Sequence, residues 1–245
     1  MKQSLKRLFA TAAVMAALCM PAVAADDSVS DPLEPVNRYI FAFNDGMDVV
    51  FIEPLAKLYR WVLPDYVLDR IQGVFVNIRE PLSTMNYLFQ GNLSDAGDSF
   101  LGFLVNSTVG LAGMYDVMGG QNEDKLTGFG DTLGRWGIGP GPYLVLPLIG
   151  PSDLRDTAGL TVDYYADPIR LALVTYKPIR HPETIYTTIT VASGFDARSR
   201  LLKQIDDLRK NSLDLYATIR SIYLQRRAAK IGGDTSAPQI PAYDN

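Results

Sequence analysis

The sequence predicts a mainly α-helical fold, and three observations carry that expectation. Apolar residues recur at spacings of three and four, prolines and capping residues mark repeated helix starts, and strand-like patterning is confined to two short stretches. With 245 residues, 47% apolar or aromatic and 20% charged, the chain can bury a core of its own.

The elements follow in order. Lys2, Lys6 and Arg7 precede a mostly apolar run from Leu8 to Met20, and Ala22-Val23-Ala24 supplies the small-x-small pattern of a cleavage site. Residues 1–24 are therefore expected to be a signal peptide, because a run of 13 residues falls short of the roughly 20 that a spanning helix needs. Cys19 follows Leu18, not the small residue that precedes an acylated cysteine, so cleavage near Ala24 is expected over lipidation. The mature chain then contains no cysteine, which suits an oxidising compartment such as the periplasm.

Asp31-Pro32-Leu33-Glu34 has the form of a helix start, with Asp31 as cap and Pro32 at the first helical position, and the helix is expected to reach about Asn44. Val67, Leu68, Ile71, Val74, Phe75 and Ile78 form one apolar face, opposite Asp69, Arg70, Gln72 and Asn77. Further starts are signalled at Glu80-Pro81, Asn92, Ser152 and Asp167-Pro168. Leu201, Ile205, Leu208, Leu215, Ile219 and Ile222 predict the longest helix, at the C-terminal end. Strand signals are limited to Tyr143–Leu148 and Thr187–Ala192, far too few for an outer-membrane barrel. Residues 25–230 read as one helical domain, and 231–245, with Gly232-Gly233 and no periodicity, as a flexible tail.

Composition excludes several classes of function. Without the three leader cations, 20 Lys and Arg face 27 Asp and Glu, a net charge of −7, which is unsuited to binding a nucleic-acid backbone. One Cys and one His leave no Cys/His zinc site and no disulfide framework, and no cofactor or metal is expected. His181, beside Pro182 at an expected helix start, reads as a capping or surface residue, and no Gly-x-Ser-x-Gly elbow occurs, so the chain is not expected to be an enzyme. The pairs Asp45/Asp48 and Asp95/Asp98 have the spacing of a solvated helix face and lack an EF-hand loop.

Two uncharged stretches of 17 residues, Ser99–Tyr115 and Trp136–Ser152, need an apolar environment, but polar residues and glycines interrupt the first and four prolines the second. Burial in a core is one account of them. The other is a seat in one leaflet, favoured by the largely apolar Met47–Ile52 and Leu171–Tyr176 and by Tyr39, Tyr59, Trp61, Tyr87, Trp136 and Tyr143, whose rings suit a membrane interface. Between Gly128 and Gly150 lie seven glycines, and Gly137-Ile138-Gly139-Pro140-Gly141 fits neither a dinucleotide fingerprint nor a P-loop. Alternating glycine and proline instead makes hinge points between stiff links, as in a gate or a shaped lip.

Several motifs together resemble the MlaA (VacJ) family: Asp31-Pro32-Leu33-Glu34-Pro35-Val36-Asn37-Arg38, Phe41-Ala42-Phe43-Asn44, Glu80-Pro81, Asn86-Tyr87-Leu88-Phe89-Gln90-Gly91 and Phe129-Gly130-Asp131-Thr132-Leu133-Gly134-Arg135-Trp136-Gly137. Gly141-Pro142-Tyr143, Leu146-Pro147 and Leu154-Arg155-Asp156 extend the resemblance, which covers about Ser30 to Leu224. It implies a ring-like assembly of amphipathic helices on the periplasmic side of the outer membrane, seated in the inner leaflet around an amphipathic channel. The implied function is a phospholipid conduit that removes mislocalised phospholipid from the outer leaflet and passes it to a periplasmic carrier protein, in association with trimeric porins. On matching motif positions, Gly137, Gly139, Gly141 and Pro147 would form the channel's flexible lip, with Phe41, Phe43 and Asn44 near the ring. The alternative is a soluble periplasmic lipid-binding or scaffold protein with the uncharged stretches turned inward.

Overall fold

The structure, a computed structural model, describes residues 31–120, 122–176 and 179–232. The expected signal peptide, Cys19 and the tail beyond Gly232 lie outside the described residues. The chain is mainly helical, as the periodicity predicts, with a single two-stranded sheet among the described residues.

A rod opens the fold: α1 (Glu34–Met47), a π-helical stretch (Asp48–Ile52) and α2 (Glu53–Val62) follow without a break in helical backbone. Pro54 sits in the middle of this rod and has no N–H to give back, and widening the preceding turn to π geometry accommodates it. The rod starts two residues later than Asp31-Pro32 suggests, with Leu33 at the cap position. Asp31 caps nothing with its side chain; its carboxylate accepts from Asn37 Nδ2 (2.8 Å) and from the Tyr216 hydroxyl.

Next come α3 (Asp65–Phe89) and α4 (Leu93–Thr108), the most extensive helix pairing in the molecule. Glu80-Pro81 does not start a helix, since α3 runs through Pro81. Asn77, Glu80, Ser83 and Asn86 are buried on either side of it, and Asn77 Nδ2 donates to Ser107 Oγ of α4 (2.8 Å), so packing outweighs the lost backbone bond. Asn92 caps α4 as expected, accepting from Asp95 N (3.2 Å).

A short helix α5 (Phe129–Arg135) leads into β1 (Tyr143–Leu146) and β2 (Gly150–Asp153), and β2 runs into α6 (Leu154–Ala166). The α6 start is close to the one signalled at Ser152, although the cap is Asp153, which accepts from Asp156 N at 2.7 Å. Helices α5 and α6 pack backbone to backbone, and a Cβ on Gly159 would overlap the Gly130 backbone. Then follow α7 (Pro168–Thr175), capped by Asp167 as predicted, and α8 (Pro182–Arg200). The second expected strand, Thr187–Ala192, lies inside α8: Pro182 sets the helix start, and Thr188 and Thr190 return their hydroxyls to the carbonyls of Thr184 (2.8 Å) and Tyr186 (3.0 Å).

The predicted long C-terminal helix is two helices, α9 (Leu202–Asn211) and α10 (Leu215–Gly232), and the 25-residue α3 is longer than either. Asp214 makes the break. It accepts from Ala217 N (3.1 Å) at the start of α10 and from both Arg38 amino nitrogens (3.1 and 2.7 Å) on α1.

Contacts between elements close into a circuit: α1 runs into α2, α2 packs on α8, α8 on α7, α7 on α6, α6 on β2, and β1 returns to α1. Helix α10 lies against α5 and β2, and α9 ties α10 to α2 and α8. Ion pairs hold these junctions. Arg209 of α9 reaches Asp45, Asp48 and Glu53 at 2.7 Å each, and Arg198 of α8 forks onto Asp48 (2.8 and 2.6 Å). On α10, Arg227 bridges Asp131 and Asp156, and Tyr223 donates to Asp156 (2.7 Å).

Replacing Arg227 by Met takes the guanidinium from buried Asp131, which keeps Lys230, and leaves half-buried Asp156 with Arg155 alone, and the expected loss is about 2 kcal/mol of stability in chemical denaturation at pH 7. Burial pushes Asp131 up, but Lys230 and Arg227 outweigh it and hold the group below its ordinary 3.8. A lowered carboxylate stabilises the fold above the unfolded value and loses that contribution as pH falls through the folded one. The difference between wild type and R227M is therefore expected to shrink below pH 3.8.

Candidate functional site

The hairpin that follows the glycine-rich block stands at the centre of the predicted lip. Its strands pair antiparallel from Tyr143 opposite Asp153 to Leu146 opposite Gly150, leaving Pro147, Leu148 and Ile149 as a three-residue tip. Leu148 adopts φ +64°, uncommon for a branched residue, and both Leu148 and Ile149 are largely exposed.

Two asparagines of α1, seven residues and thus about two turns apart, hold the outer edge of this hairpin. Asn37 Nδ2 donates to Tyr143 O (3.0 Å) and its Oδ1 accepts from Val145 N (2.9 Å). Asn44 repeats the pattern one step along: Nδ2 donates to Leu146 O (2.9 Å) and Oδ1 accepts from Leu148 N (2.8 Å). Each amide thus takes the place of a neighbouring strand, satisfying backbone groups that β2 does not reach. Tyr143, Val145 and Tyr216 form the small apolar core behind it, with Ile40, Phe41, Tyr223 and Leu224 packed around them.

The seven sequence-predicted site residues separate accordingly. Asn44 and Pro147 meet at the hairpin. Gly137 (φ +85°) and Gly141 (φ +70°) occupy left-handed conformations in the segment leading into it, and a Cβ on Gly141 would stand 3.2 Å from Leu154 Cβ. Gly139 has neither a positive φ nor a near neighbour. Phe41 belongs to the core behind the hairpin, edge-on to Tyr216 at 5.6 Å, whereas Phe43 is half exposed on the outside of α1. The sequence reading missed Asn37, although its spacing from Asn44 was visible as two helical turns.

Around this site the usual distribution of polarity is reversed. Among the described residues, nine apolar side chains are buried against sixteen polar or charged ones, while Leu213, Trp61, Tyr39, Leu93 and Ile149 head a long series of exposed apolar residues. The uncharged Ser99–Tyr115 follows the same rule, with Ser99 and Asn106 buried and Phe100, Leu101, Leu104 and Val109 exposed. No described helix is long and apolar enough to cross a membrane. Asp45 and Asp48, expected above to be a solvated helix face, are instead occupied by arginines; burial pushes Asp48 up, but hydrogen bonds from Arg198 and Arg209 hold it below the usual carboxylate range. No cluster of His, Cys, Asp and Glu among the described residues is arranged to hold a metal. His181 stands at the N-cap of α8 with φ +55° and makes no side-chain cap bond.

Known proteins resemble the chain over nearly all of this architecture. The MlaA lipoprotein family matches residues 29–230. The chain belongs to the MlaA family. A protein of Rickettsia bellii (strain RML369-C) is 40% identical over 206 residues, covering 83% of this chain and 77% of its own. The intermembrane phospholipid transport system lipoprotein MlaA of Escherichia coli (strain K12) is 32% identical over 215 residues, covering 86% and 82%. A solved structure described under "Structural basis for maintenance of bacterial outer membrane lipid asymmetry" superposes with a TM-score of 0.69 at 32% identity, covering 82% of this chain and 99% of that one. The helical architecture expected from the family resemblance is thus shared with a family structure.

Within this MlaA-family fold, Gly141→Val forces a branched side chain into a left-handed backbone beside Leu154, and thermal or urea melts are expected to show a loss of about 1–3 kcal/mol. Gly139→Val, in open space at an ordinary φ, is expected to change stability by less than about 0.5 kcal/mol.

Proposed function

We propose that this MlaA-family protein is a phospholipid conduit of the outer membrane, removing mislocalised phospholipid from the outer leaflet and passing it toward a periplasmic carrier. The observation that supports this best is the reversed polarity: apolar side chains outside, polar and charged ones inside, on described helices none of which is long and apolar enough to cross. A surface of that kind is stable against the acyl chains of a single leaflet, where water would penalise it. A phospholipid in transit needs apolar surface for its tails and polar contacts for its headgroup, since an unsatisfied headgroup in hydrocarbon is costly. The family relatives of Escherichia coli and Haemophilus influenzae carry the name of an intermembrane phospholipid transport system, which agrees with this reading.

In the proposed arrangement the protein sits at the inner leaflet on the periplasmic side, beside trimeric porins, with the closed circuit of elements as the ring. The hairpin tip at Pro147, Leu148 and Ile149 is the lip, set by Gly137 and Gly141 and latched to α1 by Asn44. The chain itself needs no cofactor for this: lipid moves down its own gradient or is drawn by the partners. With export cleavage after Ala24, attachment comes from the apolar helices and the porin partner, not from an acyl chain.

The test is the lipid composition of the outer leaflet. Asn44→Ala removes both bonds to the hairpin tip while leaving Asn37 and the core in place, and is expected to alter the amount of phospholipid reached by an impermeant amine label at the surface of intact cells by severalfold relative to wild type. Wild-type labelling in both N44A cells and cells lacking the protein would reject the conduit. Normal labelling in N44A alone would reject the latch.

A further inference from the structure

Away from the hairpin, a shallow, open groove of about 630 Å³ runs along one face of α8, lined by Glu183, Thr184, Thr187, Thr188, Val191, Ala192 and Phe195, all of that helix. Of these only Glu183, at one end, carries a charge. At 1.5 Å per residue the stripe from Glu183 to Phe195 is about 18 Å long, close to the ~15 Å depth of one leaflet's hydrocarbon. Thr188 spends its hydroxyl on the Thr184 carbonyl (2.8 Å), which leaves that stretch of the stripe less polar than its sequence.

The charged end is built, not incidental. Arg170 of α7 forks onto Glu183, with Nη2 to Oε1 at 2.6 Å and Nε to Oε2 at 3.1 Å, and the Tyr164 hydroxyl donates to Oε2 at 3.2 Å. Tyr164 and Tyr165 lie against the guanidinium, 4.4 and 5.5 Å from ring centroid to Cζ. In consequence the Arg170 side chain is only 12% exposed, while that of Glu183 is 49% exposed. A molecule entering the groove meets a fixed carboxylate, whose balancing cation is hidden behind it, and then an uncharged stripe.

We propose that this groove is a phospholipid-binding site selective for headgroups bearing an ammonium, with Glu183 as the headgroup contact and the α8 stripe as the tail track. The assignment rests on the conduit reading and narrows its substrate. An ammonium gains a charge-assisted contact with the open side of the carboxylate, a contact that a headgroup without a cation cannot make. A phosphoglycerol headgroup supplies no cation and brings uncompensated negative charge toward an exposed acid, with no Lys or Arg in the lining to receive it.

The test incubates the full-length protein with vesicles of equal phosphatidylethanolamine and phosphatidylglycerol, repurifies it and measures bound lipid by mass spectrometry. Wild type is expected to be enriched in phosphatidylethanolamine about threefold, the size of one half-exposed charge contact. Glu183→Gln should bring the ratio close to one with total bound lipid unchanged, and Glu183→Asp should retain a preference. Equal binding by wild type, or an unchanged preference in E183Q, overturns the headgroup assignment and leaves the conduit standing. No bound lipid of either kind in wild type overturns both.

Discussion

The constraint on which this structure depends is a mismatch between what its helices expose and what they can span. Apolar residues cover the outside of α1, α2, α4 and α7, yet no described helix is long and apolar enough to cross a bilayer. One leaflet satisfies both conditions. The interior then has to be stabilised by something other than a large oily core, and it is: asparagine amides, buried aspartates and forked arginines hold the contacts between helices. Removing one member of such a network leaves a carboxylate or guanidinium with fewer partners out of reach of water, which is costly.

The same logic places the hairpin. A two-stranded ribbon is marginal alone, and an open edge at a membrane surface would carry unpaired backbone groups. Asn37 and Asn44 close that edge with two bonds each, so the rod formed by α1 and α2 doubles as a third strand. Because the rod is in turn fixed at Asp45, Asp48 and Glu53 by Arg209, hairpin position and helix packing are mechanically linked.

Local signals were read correctly where one residue decides the outcome: Asn92 and Asp167 cap the helices they announce, and Tyr143–Leu146 is a strand. They misled where tertiary contacts decide. Pro81 marks no start because buried Asn77, Glu80, Ser83 and Asn86 carry α3 past it, and the β-branched run in α8 stays helical under packing from α2, α3, α7 and α9. The 4-3 spacing across Leu208 to Leu215 is real, yet Asp214 interrupts it by serving Arg38 and the next helix start at once. Of the site, the glycine block and Asn44 were legible as motif positions; the pairing of Arg170 with Glu183 was not, since thirteen residues and a change of helix separate them.

The proposed leaflet seat can be measured with the protein's own probes. Trp61 and Trp136, both largely exposed, are the only tryptophans, so W61F and W136F are single-tryptophan proteins. In vesicles carrying lipids with nitroxides at graded acyl depths, both residues are expected to be quenched by labels within one leaflet and to be protected from aqueous iodide. Quenching by iodide with no response to any acyl label would contradict the account, because the exposed apolar surface would then face water.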